Sequence, residues 1–244
     1  MKDSLTTRLH RFTVARFSPQ EQFGLHLTLG VLVLLLAMAG FARIAEEVLT
    51  GAPITLLDLR LANWLHQHAN DSSFLRSFLF GITQLHSTPG ALGLTALAGW
   101  WLARRGARHW MLTLVSAVPG GMLLNVALKH TFVRARPHFD APILSLTTYS
   151  FPSGHTMTAT VLYGVLACYL VRHARSWQAR AAIVLAACIM VLLVAGSRLY
   201  LGAHYLTDVL AAMLEGCAWL AICVTGVATL RRRQAARARR SDYS

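Results

Sequence analysis

The sequence predicts an all-α polytopic membrane protein, six transmembrane helices in one bundle with both termini in the cytoplasm. Three observations predict it. Apolar residues make up 55% of the chain and charged residues only 14%, and the apolar ones come in blocks of span length rather than alternating as in a soluble core. Most of the lysines and arginines fall on alternate connections between the blocks. The polar residues of the other connections gather at three junctions between helix and loop.

The first block covers residues 23–41. Residues 1–22, with Lys2, Arg8, Arg11 and Arg16, are too long and too dispersed in charge for a cleavable signal. They read as a basic cytoplasmic segment ahead of an uncleaved helix. Residues 44–73 carry Glu46, Glu47, Asp58, Arg60 and Asp71 and are not a span. Within them Leu57, Leu61, Trp64 and Leu65 recur at helical spacing, as in a short helix lying on the membrane surface or an ordinary amphipathic connector. The second block, 74–102, is interrupted by Thr88, Pro89 and Gly90, which mark a kink or a break. The remaining blocks are 110–127, 155–171, 181–197 and 203–230, and residues 231–244 form a basic tail. With no internal repeat, residues 23–230 make a single membrane domain.

Basic residues orient the bundle. The N-terminal segment, the connection with Arg104, Arg105 and Arg108, that with Arg172, Arg175 and Arg180, and the arginine-rich tail all lie on one side. The opposite side holds Arg43, Arg60, Arg76, Lys129, Arg134, Arg136 and Arg198. The richer side is therefore cytoplasmic. A net charge of +13 invites nucleic acid as a partner, but arginines beside anionic headgroups account for it. Cys168, Cys188, Cys217 and Cys223 all lie in apolar stretches without CxxC or zinc spacing, so they read as small buried hydrophobes.

The three junctions carry the chemistry. The first runs from Lys129 to Pro137 and holds Arg134 and Arg136; the second is Phe151-Pro152-Ser153-Gly154-His155; the third holds Ser197, Arg198, His204 and Asp208. The topology brings all three to one membrane surface, where such a convergence of charge is costly without a function. Lys129, Arg136 and Arg198 supply three cations for a doubly charged oxyanion. Ser153 and Gly154 precede a helix start, whose free N–H groups favour anions. His204 and Asp208, four residues apart on a helix, meet on one face, so that Asp208 holds one ring nitrogen and leaves the other free to attack phosphorus. His155 is placed to act as general acid and base. No cofactor is called for.

The pattern K-x6-RP, PSGH and SR-x5-H-x3-D resembles the three-part signature of the type 2 phosphatidic acid phosphatase (PAP2) superfamily. Lys129, Arg136 and Pro137 match the first part; Pro152, Ser153, Gly154 and His155 the second; Ser197, Arg198, His204 and Asp208 the third. The resemblance implies a metal-independent lipid phosphatase with His204 as nucleophile, His155 as acid and base, and Lys129, Arg136 and Arg198 on the phosphate. It implies a bacterial inner-membrane enzyme facing the periplasm, with a lipid mono- or diphosphate such as undecaprenyl diphosphate, phosphatidic acid, phosphatidylglycerophosphate or a lipid A phosphate as substrate. A phosphotransferase using the same phosphohistidine is the alternative. The sequence leaves the lipid, the acceptor and the oligomeric state open.

Outside the signature, Asn125 lies one turn before Lys129, to orient it or to pack between helices. Glu215 falls on the face of Asp208, deeper in the membrane, where it pairs with another polar group or is protonated. His130, His138 and Asp140 flank the first cluster without a catalytic assignment. His10, His26, His66, His68, His86, His109 and His173 show no partner pattern and read as surface or interfacial.

Overall fold

The computed structural model describes residues 24–69, 72–144 and 146–241, with side chains to residue 234. Lys2, Arg8, His10, Arg11, Arg16, Asp71 and the side chains of Arg237, Arg239 and Arg240 lie outside the described residues. The chain is all-α: α1 (Leu25–Thr50), α2 (Ile54–His68), α3 (Ser73–Leu85), α4 (Thr88–Arg104), α5 (Arg108–Phe132), α6 (Gly154–His173), α7 (Trp177–Tyr200) and α8 (Leu206–Ser241).

Five of these, α1, α5, α6, α7 and the Leu206–Gln234 part of α8, are long and apolar enough to cross a membrane. The second block is broken, not kinked, at the interruption expected there. It is two helices, broken at His86 and Ser87, with Ser87 extended as the N-cap of α4 and Pro89 in its first turn. Proline is tolerated there because the first N–H groups of a helix have no intrahelical partner. Gly90 makes the break tight: a Cβ on it would stand 2.4 Å from the Leu85 carbonyl oxygen. The basic tail is also continuous with the last span. Its run of arginine and alanine contains no helix breaker, so α8 extends through Ser241.

Apolar side chains face outward in a manner that suits lipid rather than water. Leu32, Leu35 and Leu36 of α1 and Leu185 and Leu192 of α7 are exposed, whereas the interior is built from Leu102 of α4, Leu114 and Val118 of α5, Val161 and Val165 of α6 and Ala212 of α8. Helices α6 and α8 approach closely at Gly216, where a Cβ would meet Thr160 at 2.7 Å. Small residues at such crossings drive helix association in lipid through van der Waals contact. Of the cysteines, Cys188 is exposed on α7 rather than buried, and the other three are half-buried and free.

Helix α2 forms as the spacing predicts, with Leu57 and Trp64 exposed, but its buried residues are Asp58 and Ala62. A charged residue thus faces inward from a connector.

Candidate active site

The last turn of α5 carries Lys129, and Val133 closes the helix in the left-handed conformation, φ 50° and ψ 33°. That region is unfavourable for a β-branched residue. It turns the chain so that Arg134 and Arg136 run back over the ends of α7 and α8. Arg136 is tied down on three sides: Nε donates to the Thr148 carbonyl at 2.6 Å, Nη1 to the Ala203 carbonyl at 2.6 Å, and Nη2 to the Thr148 hydroxyl at 2.9 Å. Lys129 Nζ donates to the Tyr149 carbonyl at 2.7 Å. The loop before α6 therefore holds two cations through its backbone.

His204 sits in the short turn between α7 and α8 and is 2% exposed. Its Nδ1 lies 3.3 Å from Asp208 Oδ2, and its Nε2 lies 3.3 Å from Arg136 Nη1. The same Oδ2 accepts the Tyr205 N–H at 2.9 Å. An ionised Asp208 accepts the hydrogen bond of Nδ1–H, which leaves Nε2 with its lone pair toward the cations. Burial holds the His204 pKa well below its ordinary 6.5, reinforced by the positive charges of Arg198, Arg136 and Lys129. The imidazole is therefore neutral, the form a nucleophile needs.

Arg198, at the end of α7, is 3% exposed, and its Nη1 donates to the Thr83 hydroxyl. Its Nε is buried without a hydrogen-bond partner among the described residues, a donor available to an oxyanion. His155 is in the first turn of α6. Lys129, Arg136, Gly154, His155, Arg198 and His204 all line one cavity of about 480 Å³. Its wall also includes the apolar Met122, Val126 and Met157.

Two expected site residues stand behind the wall. Asp208 is fully buried beneath His204. Ser153 is the N-cap of α6, but it is fully buried: its hydroxyl accepts from Thr156 Oγ1 at 3.1 Å and its N–H donates to the Asp208 carbonyl at 3.1 Å, so that of Ser153 and Gly154 only Gly154 lines the cavity. Among the described residues no group of three or more His, Cys, Asp and Glu side chains is placed to hold a metal ion.

Several neighbours had no sequence signal. Thr83 and His86 come to the site because α3 ends there. His86 is 2% exposed rather than interfacial, with Nδ1 on the Ile82 carbonyl at 2.8 Å and Nε2 on the Tyr163 hydroxyl at 2.7 Å. Asn125 lines the cavity but is bound to Glu215 rather than Lys129: Nδ2 donates to Glu215 Oε2 at 2.8 Å and to the Pro152 carbonyl at 3.4 Å. Arg134 reaches Asp208 Oδ1 at 2.6 Å and Asp58 Oδ2 at 2.8 Å. Burial opposes its charge, but the two carboxylates outweigh that and raise its pKa.

A family model described as the PAP2 superfamily matches residues 109–232. Phosphatidylglycerophosphatase B of Bacillus subtilis (strain 168) is 36% identical over 146 residues, which cover 59% of this chain and 70% of that protein. Among solved structures, the first transmembrane PAP2 type phosphatidylglycerolphosphate phosphatase from Bacillus subtilis aligns with a TM-score of 0.70 at 27% identity, over 78% of this chain and 94% of that one. Aquifex aeolicus LpxE aligns with a TM-score of 0.52 at 22% identity, over 69% and 94%, a likeness of fold.

Proposed function

The chain belongs to the PAP2 superfamily and is a membrane phosphatase, and we propose that it hydrolyses the phosphate of a phosphatidylglycerophosphate-like lipid through a phosphohistidine on His204. The observation that carries this reading is the approach of three cationic side chains and two histidines to one cavity, with Asp208 behind the nucleophile. The lipid class comes from the relatives named above. The apolar Met122, Val126 and Met157 in the cavity wall suit an acyl chain beside a headgroup phosphate.

In this reading Lys129, Arg136 and Arg198 bind the phosphate oxygens, and the backbone at Gly154 adds the positive end of the α6 dipole. Nε2 of His204 attacks phosphorus, the P–O bond to the lipid breaks, and His155 delivers a proton to the departing alkoxide. His155 then takes a proton from water, whose oxygen displaces His204 from phosphorus and releases inorganic phosphate. Arg136, 3.3 Å from Nε2, is placed to stabilise the charge that gathers on the equatorial oxygens.

Taking α3 and α4 together as one broken crossing gives six crossings and returns both termini to the cytoplasm. The cavity then opens at the outer surface of a bacterial inner membrane, as the asymmetry of arginines favours. His204→Ala tests the mechanism. It is expected to insert and fold normally, to release no phosphate and to form none of the acid-labile, alkali-stable phosphoryl adduct that the wild type forms from the lipid phosphate. Near-normal phosphate release would overturn it. Side-by-side assay of phosphatidylglycerophosphate, phosphatidic acid and undecaprenyl diphosphate tests the substrate, the first being expected to give the highest kcat/KM.

A further inference from the structure

Asp58 is 1% exposed on a connector helix whose neighbours Leu56, Leu57 and Leu59 point outward. Its carboxylate is fully engaged. Oδ1 accepts the backbone N–H of Thr207 at 3.0 Å, and Oδ2 accepts Arg134 Nη2 at 2.8 Å and the Thr207 hydroxyl. Thr207 is the second residue of α8, so its N–H is one of the donors a helix leaves unpaired at its start. Asp58 thus caps α8 from another helix, with its negative charge at the positive end of the dipole.

The other face of this cluster is the catalytic carboxylate. Arg134 Nη1 donates to Asp208 Oδ1 at 2.6 Å and to Thr207 Oγ1 at 2.7 Å, and the Tyr205 ring lies 4.4 Å from the guanidinium carbon. With Oδ1 claimed by Arg134, Oδ2 is the oxygen left for the Tyr205 N–H and for His204 Nδ1. Turning the Asp208 carboxylate would break a charge-assisted bond, so its direction is set from behind.

Charge sharpens the point. Arg134 alone would neutralise Asp208. Shared between Asp58 and Asp208 it leaves a net charge of about −1 beside a ring that turns positive as its Nε2 bonds to phosphorus. None of Asp58, Arg134 and Thr207 lines the cavity.

We propose that Asp58 is a positioning residue, which through Arg134 and Thr207 aims the Asp208 carboxylate and keeps it negative enough to support charge on His204. The proposal rests on the reading of His204 and Asp208 as nucleophile and partner. It assigns the connector helix α2 to the reaction, although α2 lies outside the three signature segments.

The test is Asp58→Asn in the full-length protein, alone and combined with Asp208→Asn. Alone it is expected to lower kcat by about 10–100-fold, the range for groups that orient a reacting side chain. KM for the lipid phosphate and inhibition by vanadate are expected to stay within about twofold, since no cavity wall is changed. In the Asp208→Asn background the same substitution is expected to leave kcat unchanged within about twofold, because the partner through which it acts is already lost. A kcat near wild type, a loss carried by KM, or the same factor in both backgrounds would overturn the proposal. Should Asp58→Asn fail to fold, Arg134→Lys serves. It keeps the charge but cannot span both carboxylates, and the same loss in kcat without change in KM, again absent beside Asp208→Asn, is required of it. Turnover by His204→Ala would instead sink the underlying reading, whereas a dead His204→Ala beside an unaffected Asp58→Asn sinks this proposal alone.

Discussion

Arg136 and His204 face one another, with Nη1 of the guanidinium 3.3 Å from Nε2 of the imidazole. The contact is to the nitrogen that Asp208 does not engage, so the cation meets the proposed nucleophile on the side where a phosphoryl group would sit. Three backbone carbonyls, those of Thr148, Tyr149 and Ala203, hold the guanidinium in this pose.

Arg136→Lys keeps the charge but has no planar fork to bridge those carbonyls and the substrate together. A charge-assisted hydrogen bond contributes about 1.5–3 kcal/mol, so kcat/KM is expected to fall by about 10–100-fold. Steady-state kinetics on a lipid phosphate checks this. A lysine variant with wild-type kcat/KM would mean that charge alone is required at this position.

Asp208→Asn removes the negative charge beneath His204 while keeping shape. An asparagine can present its NH2 to the ring and favour the wrong tautomer, as well as withdraw support from the positive imidazole. The expected result is a loss in kcat of about 10²–10⁴-fold with little change in KM, the range seen when the carboxylate of a catalytic triad is neutralised. Stopped assays at saturating substrate read it directly.

Much of this site was legible because its residues lie in three short segments with fixed internal spacing. His204 and Asp208 meet as an i,i+4 pair, and Ser153 and Gly154 do start a helix. What was not legible depends on partners far apart in sequence. Asp58 and Thr207 are 149 residues apart, Thr83 and Arg198 115, and no local pattern joins them. Helical periodicity placed α2 correctly but could not show that its one inward carboxylate would find an arginine. The break at His86 is a related case. Pro89 and Gly90 signal an interruption, yet that the interruption delivers His86 to the cavity and Thr83 to Arg198 follows only from how α3 packs on α7.

The pH dependence of stability follows from His204. Its pKa is lowered in the folded protein, by burial first and by the Arg198, Arg136 and Lys129 charges next, from 6.5 for an unperturbed side chain. Between these two values the unfolded chain binds the proton and the native one does not, so stability falls as pH drops below about 6.5. His204→Asn removes this group. Its melting temperature, followed from neutral pH to pH 5, is expected to decline less steeply than that of the wild type. Parallel curves would show that His204 is not the group responsible.

Asn125, in the cavity wall, and Glu215 form a buried pair, with Glu215 Oε1 lacking any hydrogen-bond partner among the described residues. Asn125→Leu would leave Oε2 unpaired as well and cost about 1–3 kcal/mol of stability, the penalty for stranding a buried polar group. Replacing both, as Asn125→Leu with Glu215→Leu, removes the stranded group and is expected to recover part of that loss. Thermal unfolding of the two variants in detergent compares them. A double variant no more stable than Asn125→Leu would show that the single substitution acts through packing instead.

In the proposed reaction the three cationic groups that line one cavity take the part of the divalent ion that stabilises the phosphoryl-transfer transition state in other phosphatases. Orthovanadate, which adopts the five-coordinate geometry of that transition state, is therefore expected to inhibit competitively, and EDTA to leave turnover unchanged. The two arms separate different errors. Resistance to vanadate would argue against the convergence of Lys129, Arg136 and Arg198 on one oxyanion. A loss of activity in EDTA that magnesium restores would place a metal in the reaction and remove the need for all three cations. Arg198→Ala adds a control on the first arm. Because Arg198 lines the cavity with its buried Nε unpartnered among the described residues, its loss is expected to weaken vanadate inhibition by about tenfold or more, as for one charge-assisted bond.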